Sequence, residues 1–359
     1  MKQRTALIVA GGTGGHIVPG LAVARQLEAT GWCVKWAGDP DAMEGRLVAQ
    51  ANIAFYPLRF SGFRGKGLVQ QLLMPARLLR ALGQSLNILR TQKPDVVLGM
   101  GGYVAFPIGI MAGLLNIPLV VHEQNSIAGL TNKVLARLAR CKLVAFPGAL
   151  PGGVWVGNPV NQALCGMLPP AVRFESREGS LRLLVVGGSL GASFLNELVP
   201  KAVALMPPQL RPLITHQSGS KHLEVLQVAY QHAQVQADTV GFIEDMGQAL
   251  AQADVVLCRA GAMTVAEIAA VGCAAFFVPF PHAVDDHQTH NARFLVDAGA
   301  AWMRAQHELD AGCLASWLEG LTRGQCLAMA QKSHELAKPE STREVIKQLE
   351  QVVKHEAQG

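Results

Sequence analysis

The sequence predicts an α/β chain made of two parallel-sheet domains facing each other across a cleft. Three observations predict it. The apolar run Ile8-Val9-Ala10 enters Gly11-Gly12-Thr13-Gly14-Gly15-His16. Far downstream, Val185-Val186 enters Gly187-Gly188-Ser189-Leu190-Gly191-Ala192. Each reads as a strand running into a glycine turn that opens an amphipathic helix, which aims backbone N–H groups and a positive helix end at an anion. Third, strand and helix patterns alternate through both halves, the signature of a parallel sheet covered by helices. A length of 359 residues fits two domains of ordinary size.

In the first half, Thr5–Ala10, Val34–Gly38, Ile53–Arg59, Asp95–Met100, Pro118–Glu123 and Lys142–Phe146 read as strands. Helices are expected from about Pro19 to Ala29, near Ala42–Ala51, and over Leu68–Thr91. The turn-rich run from Pro147 to Gly153, followed by Val156-Gly157-Asn158-Pro159-Val160, marks a hinge. The expected domains are therefore residues 1–157 and 158–339, with a C-terminal helix in 340–359 packing back on the first domain. Pro169–Ser180 is polar and reads as loop. Strands of the second half are expected at Leu181–Val186, Arg211–His216, Thr239–Ile243, Asp254–Cys258 and Ala274–Pro279. Beyond the doubled strand–glycine–helix unit, no repeat is read.

Half the residues are apolar and 16% are charged, the balance of a globular chain. The seven cysteines are odd in number, scattered, and form no Cys-x-x-Cys pair, so they read as reduced thiols rather than a disulfide framework or metal site. The first apolar run stops at glycines too soon for a secretory signal. The uncharged stretch Val96–Val121 is broken by five glycines and by Pro107 and Pro118, which suits a strand, a turn, a buried helix and a second strand better than a membrane span. Charge is uneven: residues 1–160 hold 16 Lys and Arg against 6 Asp and Glu, and the remainder 15 against 20. No acid lies between Glu44 and Asp95, whereas Arg46, Arg59, Arg64, Lys66, Arg77, Arg80, Arg90 and Lys93 do. A basic half suits either a solvated face or an anionic partner. Nucleic acid is not expected, because no finger, recognition helix or RNA-binding sheet signature is present.

Glycines at 11, 12, 14 and 15 remove Cβ atoms and permit positive φ where a phosphate must approach. No Gly-Lys-Ser/Thr follows, so this is no P-loop, and the third glycine of a dinucleotide fingerprint falls on Ile17. The second loop adds the Ser189 hydroxyl, and the strand after it lacks the ribose-binding acid, which disfavours a nicotinamide enzyme. His16 stands at a helix start, facing the cleft. A third turn, Gly99-Met100-Gly101-Gly102-Tyr103, and the strand end His122-Glu123-Gln124-Asn125 join the same crevice, because ligands of parallel sheets collect at strand carboxyl ends. In Cys258–Glu267 a strand ends, a small-residue turn follows, and a helix from near Met263 offers N–H groups to a diphosphate. Glu267 sits one turn inside, placed to bind two ribose hydroxyls or to cap the helix. Gln288 and Asn291, three apart, put two amides on one helical face, suited to sugar hydroxyls. Asp285, Asp286, His287 and His290 imitate a metal site but read as carboxylates at a helix start, and no metal is expected.

These segments in this order, with Gly129-Leu130-Thr131-Asn132 and Gly157-Asn158-Pro159-Val160, resemble the MurG family of N-acetylglucosaminyltransferases over essentially the whole chain. The resemblance implies a GT-B fold, two Rossmann-like domains with UDP-N-acetylglucosamine held mainly by the second. It implies that Ser189 and the helix end of Ala262, Met263, Thr264, Val265 and Ala266 hold the diphosphate. Glu267 would bind ribose, Ile243 the uracil through its backbone, and Gln288 and Asn291 the sugar. Thr13, Gly14, Gly15 and Asn125 would close on the donor from the first domain, and Asn161 would lie at the nucleotide. Gly101, Gly102, Tyr103, Glu123, Gln124 and Asn132 would line the acceptor site. His16 is the first candidate catalytic residue and His122 the second. The acceptor implied is lipid I, the lipid-linked muramyl-pentapeptide, attacked by its C4 hydroxyl with inversion to give lipid II. No cofactor is implied, and the location is the cytoplasmic side of the bacterial inner membrane. The basic stretch Arg64–Arg80, interleaved with Leu68, Leu72, Leu73, Leu78, Leu79 and Leu82, then reads as a dock for anionic lipid, or as leucines packed on the sheet. Two positions depart from the family. Asn161 stands where it usually has Arg, and Leu190 where a long polar residue commonly follows Gly-Gly-Ser. A UDP-N-acetylglucosamine epimerase and a non-catalytic sugar-nucleotide module are the alternative readings.

Overall fold

The computed structural model describes residues 3–60, 73–188 and 191–356. The chain divides into two compact units, Met1–Val160 with Glu340–Gly359, and Asn161–Pro339.

In the first unit, seven strands form one sheet in the order β3-β2-β1-β4-β5-β6-β7. They are β1 (Thr5–Ala10), β2 (Cys33–Gly38), β3 (Ala54–Pro57), β4 (Val96–Gly101), β5 (Leu119–Glu123), β6 (Cys141–Val144) and β7 (Val154–Trp155). All neighbours pair in parallel. A parallel sheet must be covered on both faces, and alternation along β1 supplies both cores. Ala6, Ile8 and Ala10 enter one cluster, with Val23, Leu27 and Trp36, and Leu7 and Val9 enter another, with Ala81, Leu89 and Ile108. The helix Gly14–Ala29 buries Ile17, Gly20, Val23, Ala24 and Leu27, the spacing of one helical face. It begins five residues earlier than the sequence suggests. Pro19 lies inside it, losing one hydrogen bond, because Thr13 in extended conformation already starts the helical turn. His16 sits in the first turn of this helix, at a helix start as the sequence suggests. Beside this helix, Ser341–Glu356 buries Val345, Ile346 and Leu349 in the same cluster. The Ser341 hydroxyl donates to the Asn158 carbonyl at 2.7 Å and pins the entry of that helix.

In the second unit, six parallel strands follow the order β10-β9-β8-β11-β12-β13. They are β8 (Arg182–Val186), β9 (Leu213–Gln217), β10 (Asp238–Val240), β11 (Val255–Cys258), β12 (Ala274–Phe277) and β13 (Ala301–Met303). Leu183, Val185, Val255, Leu257 and Phe276 build its core with Leu195, Val199 and Leu314 from flanking helices. Pro170–Phe174, read from sequence as loop, is a short helix that buries Pro170 and Phe174. The expected helix Leu68–Thr91 is described from Met74 to Gln92, residues 68–72 lying outside the described residues.

The two sheets share a device that the sequence reading passed over. Asp95, just before β4, accepts from the Thr5 N–H at 2.6 Å. Asp254, just before β11, accepts from the Arg182 N–H at 2.8 Å. Each carboxylate clasps the first amide of the neighbouring central strand. The repeat Asp95-Val96-Val97-Leu98 and Asp254-Val255-Val256-Leu257 is its signature, so the internal repetition reaches further than the glycine turns. Asp254 is fully buried and also meets Arg177 at 2.7 Å and Arg323 at 3.3 Å.

Candidate active site

In the first unit, strand order reverses between β1 and β4, the switch point where α/β sheets bind ligands. Register between these strands slips after Val9, so Ala10 stands beside Gly101. Gly102 has φ +82°, and a Cβ there would lie 2.2 Å from the Gly11 carbonyl oxygen. The two glycine turns thus touch backbone to backbone, which only glycine permits. Glu44, 1% exposed, supports the first turn from below. Its carboxylate accepts from the Gly12 N–H and the Asp39 N–H, both at 3.2 Å. Sequence reasoning missed Glu44, because the glycine turn it supports is remote in the chain and nothing local marks it.

His16, half-buried, places Nδ1 2.6 Å from Gln124 Oε1. Gln124 Nε2 reaches His122 Nδ1 at 2.9 Å and the His122 carbonyl at 3.1 Å. His122 Nε2 meets the Gly157 carbonyl at 3.0 Å. His122 is fully buried, and burial lowers its pKa to about 4, so it is neutral at pH 7. The two histidines are joined through one amide, and of the two His16 is the one that reaches solvent.

Three of the residues expected to line the acceptor site prove to be its frame. Glu123, Gln124 and Asn132 are at most 2% exposed. Glu123 accepts from the Asn125 and Gly129 N–H groups, at 2.9 and 3.1 Å, and from Asn132 Nδ2 at 2.9 Å. Its charge is consumed in shaping the loop after β5. A polar strand end looks ligand-facing in sequence, but here the loop folds back over it. Tyr103 is 39% exposed, Gly102 is partly exposed and Gly101 is buried. Thr13, Gly14, Gly15 and Asn125 are each at least partly exposed around the turns.

In the second unit the corresponding switch point lies between β8 and β11. Ser189 and Leu190 lie outside the described residues. After β11, the helix Ala262–Val271 starts from Gly261. The Val265 N–H already donates to the Gly261 carbonyl at 3.0 Å, and its side chain is fully buried. Val265 and Ala266 therefore belong to the helix interior, which narrows the anion-facing end to the residues before them. Glu267 keeps an edge to solvent, yet burial raises its pKa to about 7.

Gln288 and Asn291 converge on one residue, Ala260. Gln288 Oε1 accepts from the Ala260 N–H at 3.2 Å and from the Phe280 N–H at 2.9 Å. Asn291, fully buried, donates from Nδ2 to the Ala260 carbonyl at 3.3 Å. The amide pair clamps the turn that enters the helix. Asn291 is placed as support rather than as an exposed reader. Arg259, quoted in the sequence motif without a role, donates to the Val278 and Pro279 carbonyls and to Gln306, at 2.9, 3.1 and 2.7 Å. It closes the other side of the same turn. The Ile243 N–H donates to Gln217 Oε1 at 2.9 Å, while Gln217 Nε2 donates to the Gly188 carbonyl at 3.1 Å. One side chain thus ties the Ile243 backbone to the second glycine turn, and nothing in the sequence pointed to it. Asn161 is exposed, and its side chain caps the short helix Gln162–Cys165 by accepting from the Ala163 N–H. Among the described residues no group of three or more His, Cys, Asp and Glu gathers as a metal site, the Asp285–His290 cluster included.

Two parallel-sheet units, each with glycine turns at its switch point, are the architecture of a glycosyltransferase of GT-B fold. Family models agree: the glycosyltransferase family 28 N-terminal domain matches residues 6–144 and its C-terminal domain residues 182–349. The chain belongs to glycosyltransferase family 28. It is 58% identical to the UDP-N-acetylglucosamine--N-acetylmuramyl-(pentapeptide) pyrophosphoryl-undecaprenol N-acetylglucosamine transferase of Burkholderia orbicola, over 96% of this chain and 95% of that protein. The same enzyme of Burkholderia mallei is 57% identical over the same shares. Among solved structures, Acinetobacter baumannii MurG superposes with a TM-score of 0.86 at 39% identity, covering 97% of this chain and 99% of that one. The calicheamicin glycosyltransferase CalG4, at 16% identity and a TM-score of 0.70, shares the fold.

Proposed function

We propose that this enzyme transfers N-acetylglucosamine from UDP-N-acetylglucosamine to the C4 hydroxyl of the muramyl-pentapeptide of lipid I, forming lipid II with inversion. The observation that carries the reading is near-full-length likeness to transferases named for that reaction. The acceptor oxygen attacks the anomeric carbon as the bond from that carbon to the UDP oxygen breaks. The electron pair leaves with UDP, and the hydroxyl proton passes to His16. Charge developing on UDP is met by the N-terminal N–H groups of Ala262–Val271, preorganised by the Gln288–Asn291 clamp. Glu267 accepts from the ribose hydroxyls, the Ile243 backbone meets the uracil, and Gln288 Nε2 donates to the sugar. Thr13, Gly14, Gly15 and Asn125 belong to the donor side of the first unit, and Gly102 and Tyr103 to the acceptor side. Helix-end and backbone donors supply the charge stabilisation, so no divalent ion is required. The lipid-borne acceptor places the enzyme at an anionic membrane surface, on the cytoplasmic side of the inner membrane.

Purified protein incubated with UDP-N-acetylglucosamine, with and without lipid I, tests the reading. UDP release only with lipid I, unchanged by a chelator, is expected. An isomerised sugar nucleotide without acceptor would instead make the chain an epimerase, and no turnover at all a binding module.

A further inference from the structure

The hydrogen bonds around Gln124 fix proton positions that no coordinate shows directly. Gly157 contributes a carbonyl, which only accepts, so His122 Nε2 at 3.0 Å carries a hydrogen. Burial keeps His122 neutral, which leaves Nδ1 as a lone pair. The Gln124 atom 2.9 Å from that lone pair also lies 3.1 Å from the His122 carbonyl. Facing two acceptors, it must be the amide NH2. Flipping the amide would set its oxygen against both, with no donor between them. The Gln124 oxygen is then committed to His16, where it can only accept, at 2.6 Å from Nδ1. Neutral His16 therefore holds its hydrogen on Nδ1.

The geometry points to Gln124 as a positioning residue that sets the tautomer of His16, so that its lone pair is presented at Nε2 toward the acceptor hydroxyl. A histidine side chain in water favours the opposite tautomer, with hydrogen on Nε2, which has no lone pair there to take a proton. The chain from the Gly157 carbonyl through His122 and Gln124 reverses that preference. His122 acts here through Gln124 and never handles the transferred proton. Gly101 completes the arrangement, since a Cβ there would stand 3.0 Å from His16 Nδ1 and press the ring out of line. The inference rests on His16 being the base, but the tautomer is measurable without catalysis.

Nitrogen-15 NMR of histidine-labelled wild-type protein at pH 8 should show His16 with Nδ1 protonated and Nε2 bare. A dominant Nε2–H tautomer overturns the proposal whatever the variants do. Gln124→Met keeps the length and removes all three side-chain hydrogen bonds. It should move His16 toward the Nε2–H form and lower kcat at least tenfold, with the UDP-N-acetylglucosamine KM within about twofold. Gln124→Glu restores the acceptor for Nδ1–H and should recover part of that kcat. Full activity in Gln124→Met, or equal losses in both variants, would overturn the positioning role. If the tautomer is as stated and His16→Ala stays active, the assignment of His16 as base fails while the hydrogen-bond relay stands.

Discussion

His16 shows how one side chain gains a role from its backbone address. It sits in the first turn of Gly14–Ala29, after a glycine turn, and among the described residues its ring is held at one nitrogen. His16→Ala is expected to lower kcat by about 10²–10⁴-fold with a small effect on donor KM, measured by UDP release. Unchanged turnover would remove it from the mechanism. Glu267 behaves oppositely, since its chemistry is set by burial. Its pKa is raised from 4.5 to about 7. The folded state thus binds this proton more tightly than the unfolded chain, and stability falls as pH rises from 4.5 to about 7. Glu267→Gln should raise the melting temperature above pH 7 and leave it unchanged below pH 4.5. Only the carboxylate can accept from both ribose hydroxyls, so the wild-type donor KM should climb as pH drops through about 7. A flat pH profile for both quantities would take Glu267 out of the nucleoside pocket.

Strands and helices here are held at their ends as much as along their faces. Asp95 and Asp254 bond the first amides of β1 and β8 at the amino edge of each sheet, opposite the edge where the glycine turns lie. Asp254 is the costlier member, being fully buried between Arg177 and Arg323. Asp254→Ala would leave the buried Arg177 guanidinium without its counter-charge, an expected loss of about 3–5 kcal/mol. Calorimetry should show a clearly lowered melting transition, and an unshifted one would mean that the clasp contributes nothing. The terminal helix obeys another logic. Val345, Ile346 and Leu349 are its contribution to a core otherwise built by residues 6–156. The Ser341 bond to Asn158 fixes where that helix begins.

For the chain taken together, uneven charge is the property that bears on function. The basic excess lies in residues 1–160, and part of it falls on the helix Met74–Gln92. There Leu73 and Leu79 are 47% and 70% exposed, beside exposed Arg77 and Arg80, while Leu78 packs inward. Arg64, Lys66, Leu68 and Leu72 lie outside the described residues. No helix among the described residues is long and apolar enough to cross a membrane. Contact with anionic lipid through this patch predicts salt-sensitive co-sedimentation with phosphatidylglycerol vesicles. Arg77→Gln with Arg80→Gln should weaken it by about 2 kcal/mol, roughly thirtyfold. Equal binding to neutral vesicles, or no effect of the double substitution, would reject the patch as a dock.

Parallel strands, glycine turns and their order were legible in the residues, because strand periodicity and glycine's missing Cβ are local properties that leave a mark at every position. The positions of His16, Glu267 and Gln288 near helix starts were legible in the same way. What folding alone decided is which polar groups face one another. Glu123, Gln124, Asn132 and Asn291 looked like ligand contacts and became the frame. Glu44, Gln217 and Arg259 looked like nothing in particular and became its fastenings. A buried polar atom must find a partner, and that partner stood at times over a hundred residues away, as Gln124 stands from His16. No window along the chain contains both members of such a pair, so only the tertiary structure could match them.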